Sequence, residues 1–218
     1  MDRNDPAYRG QSDYSPALLR LYDPLVLGPI SRFVWRFTME EHGHFYPENI
    51  RPNHLDVGPG TGYFLEHAGL PDGSKVTILD PNPNVLRHVK RRLRRLDVTA
   101  VQADVLKPFP MLGPFDSVGL SMVLHCLPGP MERKALAIEN IARVMAPGGV
   151  LFGGSVLGTS APHTRLGRAF LWAFNRRGTF SNLDDTEGGL HDILGRSFHN
   201  VELETFGGIA VFVATNQR

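Results

Sequence analysis

A chain of 218 residues fits one good-sized domain and leaves no room for two of ordinary size. Hydrophobic residues make up 42% and charged residues 21%, which allows a buried core and excludes wholesale disorder. Twenty-three Lys and Arg against 22 Asp and Glu leave a net charge of +1, so there is no global electrostatic case for nucleic acid, and a single cysteine, Cys126, excludes an internal disulfide framework.

Residues 1–13 read as a flexible tail without the apolar stretch of a signal peptide, and no run is long and apolar enough to span a membrane. The expectation is a cytoplasmic protein that engages neither membrane nor nucleic acid. Residues 14–46 predict a helical cap. Leu18, Leu19 and Tyr22 give one apolar face before Pro24, and Ile30, Phe33, Val34 and Phe37 repeat at helical spacing after Pro29.

From residue 50 the pattern becomes strands alternating with helices. Strands are predicted at 53–57, 75–80, 98–102, 115–120 and 149–156, with helices at 84–96 and 131–145, the second stopped by Pro147-Gly148-Gly149. Crossovers of that kind imply parallel pairing with helices on both faces of the sheet. Residues 157–197 read as an insertion. Two last strands, 201–206 and 209–215, are joined by Gly207-Gly208 alone, and a two-residue link joins antiparallel neighbours, never parallel ones. The fold class predicted is therefore α/β: a three-layer sandwich with a seven-stranded, mostly parallel sheet and an antiparallel last strand.

The chemistry concentrates after the first strand. Gly58, Gly60 and Gly62 let the chain turn sharply and let a ligand approach the main chain. Asp80 ends the second strand 18 residues beyond Gly62, where an acid can accept hydrogen bonds from a ribose diol. The spacing is G-x-G-x-G rather than the nicotinamide G-x-G-x-x-G, and Asp56 precedes it. A carboxylate there suits an ammonium-bearing ligand better than a pyrophosphate.

Leu55-Asp56-Val57-Gly58-Pro59-Gly60-Thr61-Gly62, Leu79-Asp80-Pro81-Asn82, Gln102-Ala103-Asp104-Val105, Phe115-Asp116-Ser117-Val118 and the stretch Val144 to Leu151 follow one another at sensible spacing. In this order they resemble the class I, seven-stranded S-adenosylmethionine-dependent methyltransferases of small-molecule type. The resemblance implies S-adenosyl-L-methionine as cofactor and methyl transfer to a small-molecule oxygen, nitrogen or carbon, by a monomer or homodimer. It implies Asp56, Gly58, Pro59 and Gly60 at the donor's amino-acid end, Asp80 and Pro81 at its ribose, and Asp104 and Val105 at its adenine, with Ser121 and Tyr22 alongside. Tyr14, Trp35, Phe180 and Asn182 are the acceptor-site candidates.

His125, just past the fourth strand, has two readings: a general base that takes the acceptor's proton, or a histidine that packs and hydrogen-bonds locally. Two other features speak against rival chemistries. Arg87, Lys90, Arg91, Arg92, Arg94 and Arg95 crowd one helix, but Val89, Leu93 and Leu96 give it an inward side, so the charges read as a solvated back face. His42-Gly43-His44 and the acids Asp184, Asp185 and Glu187 lack the spacing of a metal site, and no metal is expected. A donor-binding protein that transfers no methyl group, and a nicotinamide oxidoreductase, are the alternatives.

Overall fold

The structure, a computed structural model, describes residues 32–38, 44–108 and 112–218. The expectations placed on Tyr14, Leu18, Leu19, Tyr22, Ile30, His42 and Gly43 lie outside the described residues. In chain order the elements from Phe45 are α1 (Phe45–Asn49), β1 (His54–Val57), α2 (Tyr63–Glu66), β2 (Lys75–Leu79), α3 (Pro83–Arg92) and β3 (Asp97–Val101). There follow β4 (Phe115–Ser121), a 3-10 turn (Leu124–Cys126), α4 (Met131–Ala142), β5 (Met145–Val156), α5 (Arg165–Arg177), α6 (Glu187–Gly195), β6 (Phe198–Phe206) and β7 (Ile209–Gln217).

All seven strands form one sheet in the order β3-β2-β1-β4-β5-β7-β6. Strands β1 to β5 pair in parallel, and β7 runs against both β5 and β6, so the terminal hairpin reverses a single strand as its two-residue turn requires. Burial follows position. Every residue of the central β1 is buried, whereas β6, at the edge, alternates exposed and half-buried positions along most of its length. Alternation along β1 sends Leu55 and Val57 to the core shared with α4 and α6, and His54 to the opposite face, against Phe152 and Tyr46. Val76 and Ile78 of β2 pack on that opposite face with Leu86 and Val89 of α3.

Local chemistry sets the helix ends. Asn82 accepts the Asn84 N–H at 2.9 Å with Pro83 in the first turn of α3, Thr164 accepts the Gly167 N–H at 2.8 Å at the start of α5, and Gly178 ends α5 in the left-handed region. The basic helix turns Val89 and Leu93 inward. Arg92 pairs outward with Glu66 at 2.6 Å and Arg95 with Asp72 at 3.3 Å.

Three boundaries differ from expectation. Helix α3 stops at Arg92, and α4 at Ala142 rather than Met145. Pro147-Gly148-Gly149 does not merely stop a helix: it is the irregular opening of β5, where the register with β4 shifts between the Phe115↔Met145 and Ser117↔Val150 pairs. Within residues 157–197, α5 and α6 form, and both pack on the sheet through Leu171, Leu190, Ile193 and Leu194.

Candidate active site

At the carboxyl edge of β1, β2 and β4, and beside the loop that follows β3, a cleft is lined by Gly58, Gly60, Asp80, Asp104, Val105 and Met122, among others. Gly58 donates its N–H to Leu79 O at 2.8 Å and has φ +65°. A Cβ there would stand 2.5 Å from Val123 Cγ2, so both the backbone and the packing require glycine. Gly60, at φ +57°, differs: a Cβ would meet nothing within 4 Å. Its main chain lies bare to the cleft.

Asp80 follows β2 directly. One of its oxygens accepts the Asn82 N–H at 2.7 Å. Burial pushes this carboxyl up to about 7, against the opposing effect of that hydrogen bond. A buried acid this short of donors is suited to a ligand that brings hydroxyl groups. Asp104 accepts the Leu106 N–H at 3.0 Å, and the Val105 carbonyl accepts from Asn140 of α4 at 2.9 Å, which ties the loop after β3 to the helix below it. Pro81 also lines the cleft. Pro59 is buried, and its carbonyl takes the Gly62 N–H at 2.8 Å, so it shapes the turn from within.

Two expected donor contacts face elsewhere. Asp56 does not line the cleft. Its carboxylate accepts the Tyr46 hydroxyl at 2.9 Å and lies 3.6 Å from His54 Nε2, because Asp56 shares a strand face with His54. Ser121 likewise turns its hydroxyl to Tyr46. Burial beside Asp56 holds the Tyr46 phenol well above its ordinary value. These side chains form a polar cluster behind the glycine turn.

On the other side of the cleft, past Met122, the acceptor candidates meet the structure unevenly. Met122 has φ +60°, an uncommon conformation for a residue with a side chain, and donates its N–H to Gly154 O at 2.7 Å. Its side chain touches both the cleft and the aromatic cluster of Trp35, Phe170 and Phe180, so it stands between them. Phe180 stacks on Phe174 at 4.9 Å and meets the His125 ring edge-on at 4.4 Å. Trp35 is buried beside Phe180 and His163, and its carbonyl accepts the Gly208 N–H. It packs the segment before α1 onto the terminal hairpin.

Asn182 is not available to an acceptor. It is 1% exposed, its Nδ2 donates to Val156 O at 2.8 Å, and its Oδ1 and N–H are both taken by the Asn175 side chain. His125 is also buried, and its Nδ1 accepts the Val156 N–H at 3.2 Å. Burial, with Lys134 adding to it, pushes this imidazole down to about 3. The local hydrogen-bonding reading of His125 fits these contacts.

Sequence reasoning missed Lys134. It is fully buried on α4, and its Nζ donates to Ser181 O at 2.7 Å and to Asp185 Oδ2 at 2.5 Å. Burial lowers this ammonium and raises the Asp185 carboxyl, and each charge opposes the shift of the other. A signal was present: Lys134, Ile138 and Ile141 recur at i, i+4 and i+7 on one buried helix face. The pair fixes the segment that carries Phe180 and gives the Asp185 carboxylate a partner within the fold.

A methyltransferase-domain family model matches residues 55–153, from β1 into β5. The demethylluteothin O-methyltransferase of Streptomyces thioluteus is 37% identical over 207 residues, which are 94% of this chain and 90% of that one. The physcion biosynthesis cluster O-methyltransferase of Aspergillus chevalieri is 34% identical over 98% of each chain. Among solved structures, the N-methyltransferase NodS of Bradyrhizobium japonicum in complex with S-adenosyl-l-homocysteine superposes with a TM-score of 0.66 at 21% identity, over 97% of this chain and 99% of that one, a likeness of fold. With a glycine turn bare to the cleft, a buried acid ending the second strand, a reversed seventh strand and relatives this similar over nearly their whole length, the chain belongs to the class I S-adenosylmethionine-dependent methyltransferases.

Proposed function

We propose that the protein transfers the methyl group of S-adenosylmethionine to an oxygen of a small molecule. The observation that carries the reading is the cleft in which bare glycine backbone, the buried Asp80 carboxyl and Asp104 line one continuous surface. The donor supplies a methyl group already activated on a positively charged sulfur. Gly58 and Gly60 let its amino-acid end approach the main chain, Asp80 accepts from the ribose hydroxyls with Pro81 beside it, and Asp104 with Val105 holds the adenine. Asp56 and Ser121 act behind the turn through Tyr46, positioning the loop without touching the ligand.

The remaining task of the protein is orientation and exclusion of water. Met122 closes the cleft on the side of the Phe174, Phe180 and Trp35 rings, the side from which an apolar acceptor would approach the donor. The small-molecule oxygen acceptor is supported by the relatives named above, both O-methyltransferases.

Calorimetric titration with S-adenosylhomocysteine tests the donor assignment. Wild-type protein is expected to bind it and Asp80→Ala to bind it far more weakly with the fold intact. Equal affinity in the two proteins removes Asp80 from the site.

A further inference from the structure

His125 is buried next in the chain to a residue of the donor cleft and against the aromatic cluster. Its chain neighbour Cys126 lines the cleft, while its own edge meets Phe180 at 4.4 Å. Val156 N–H donates to Nδ1 at 3.2 Å, and the Ser155 hydroxyl lies 3.4 Å from the same nitrogen. A main-chain N–H can only donate. Nδ1 must therefore present its lone pair to β5, and the neutral ring carries its hydrogen on Nε2.

A general base needs a lone pair aimed at the proton it removes. The lone pair of His125 is already engaged by Val156, and what the other nitrogen has to give is a hydrogen. The titratable groups around the ring do not alter this. Lys134 of α4 adds positive charge, Asp185 neutralises Lys134 across the ion pair, and the Cys126 thiol is pushed up to about 12 by burial and stays protonated. Asp80 is engaged at the far, donor side of the cleft.

We propose that His125 is a neutral hydrogen-bond donor, through Nε2, to the acceptor oxygen, and that the acceptor is a hydroxyl acidic enough to arrive as its anion: a phenol or enol conjugated with an electron-withdrawing group. The inference rests on the methyltransferase reading. The step balances without a base. An electron pair of the oxyanion forms the new oxygen–carbon bond, the sulfur–carbon pair returns to sulfur, and an anion and a cation become two neutral products. An aliphatic alcohol would instead leave a proton that no group beside His125 among the described residues is placed to remove.

Nitrogen-15 NMR of histidine-labelled protein with S-adenosylhomocysteine present tests the first half. One histidine signal, absent in His125→Gln, is expected to show the Nε2–H tautomer and to stay neutral from pH 8 to about 5. An Nδ1–H tautomer, or titration of that signal near neutral pH, overturns the proposal. Binding of S-adenosylhomocysteine, followed in the same samples, keeps the failures apart: its absence counts against the methyltransferase reading, whatever the tautomer.

Transfer assays with 4-hydroxycoumarin, 4-nitrophenol and benzyl alcohol test the second half. Methylation of the two acidic hydroxyls is expected, with a pH dependence that moves with the acidity of the acceptor. His125→Leu should raise KM by about tenfold or more, the scale of one hydrogen bond to a charged group, and His125→Gln, which keeps an N–H donor, should lose less. Benzyl alcohol turned over as fast as 4-hydroxycoumarin, or a pH limb that vanishes in His125→Gln, overturns it.

Discussion

Asp80 and Asn182 are both buried near the carboxyl edge of the sheet, yet they are opposites. Asp80 has one oxygen fixed by the Asn82 N–H, and its carboxyl is pushed up to about 7 by burial. Asn182 has its amide nitrogen, its amide oxygen and its main-chain N–H all engaged by Val156 and Asn175. The side of the cleft proposed for the donor keeps a polar group in a state that a ligand would improve. The side proposed for the acceptor consumes its polar groups internally, down to the Lys134–Asp185 pair and the Nδ1 of His125, and packs aromatic rings beside them. A donor common to a whole family is held by hydrogen bonds, whereas an acceptor is chosen by shape and by what little polarity remains.

The difference can be broken most severely at Lys134. Replacing it with Met leaves the Asp185 carboxylate buried without its partner, and urea unfolding should show a loss of about 3–5 kcal/mol. Pairing Lys134→Met with Asp185→Leu should recover much of it, since the uncompensated charge is then gone.

Asp80 predicts a trade of stability against binding. Asp80→Ala should weaken S-adenosylhomocysteine by about 1.5–3 kcal/mol per lost hydrogen bond. Because the folded carboxyl is raised from 3.8 to about 7, the folded state keeps a proton across that window that the unfolded chain has lost, and stability falls as pH rises through it. Asp80→Asn removes this penalty, so at pH 8 its melting temperature should exceed that of wild type. Donor affinity should move the opposite way, tightening as pH rises through about 7, because ribose hydroxyls favour the ionised acid; the slope should vanish in Asp80→Asn. His125 has the reverse sign. Lowered from 6.5 to about 3, it resists protonation when folded, so its contribution is lost as pH falls across that range. Thermal melts of wild type and His125→Gln between pH 7 and 4 check this.

Asn182→Leu should cost about 1–3 kcal/mol, because the Val156 carbonyl and the Asn175 amide lose a buried partner. If Asn182 instead served the acceptor, KM would change with little effect on melting temperature. The smallest effect is expected at Asp56. With its carboxylate turned to Tyr46, Asp56→Asn should leave donor affinity within about threefold of wild type, under half a tenfold step on the free-energy scale. A loss comparable to that of Asp80→Ala would put Asp56 back in the cleft.

Much of the donor half was legible because its signals are local. A glycine at positive φ, an acid at a strand end and a two-residue hairpin turn each declare themselves within a few residues, and the reversed strand follows from a link too short for any other pairing. The acceptor half was not legible in that way. Asn182 and His125 carry reactive-looking groups, and the sequence is silent on whether Val156, 26 and 31 positions away, will claim them. Periodicity identified the faces of α4 but passed over Lys134, because its counter-ion Asp185 lies 51 residues further along.

The sequence by itself determined the sheet, its reversed strand, the glycine turn and the family, since these depend on backbone conformation and short-range pattern. Tertiary structure alone decided which buried polar groups remain for a ligand. A hydrogen bond is a pairing between two groups, and whether a donor or acceptor is already taken depends on what the fold brings within about 3 Å of it.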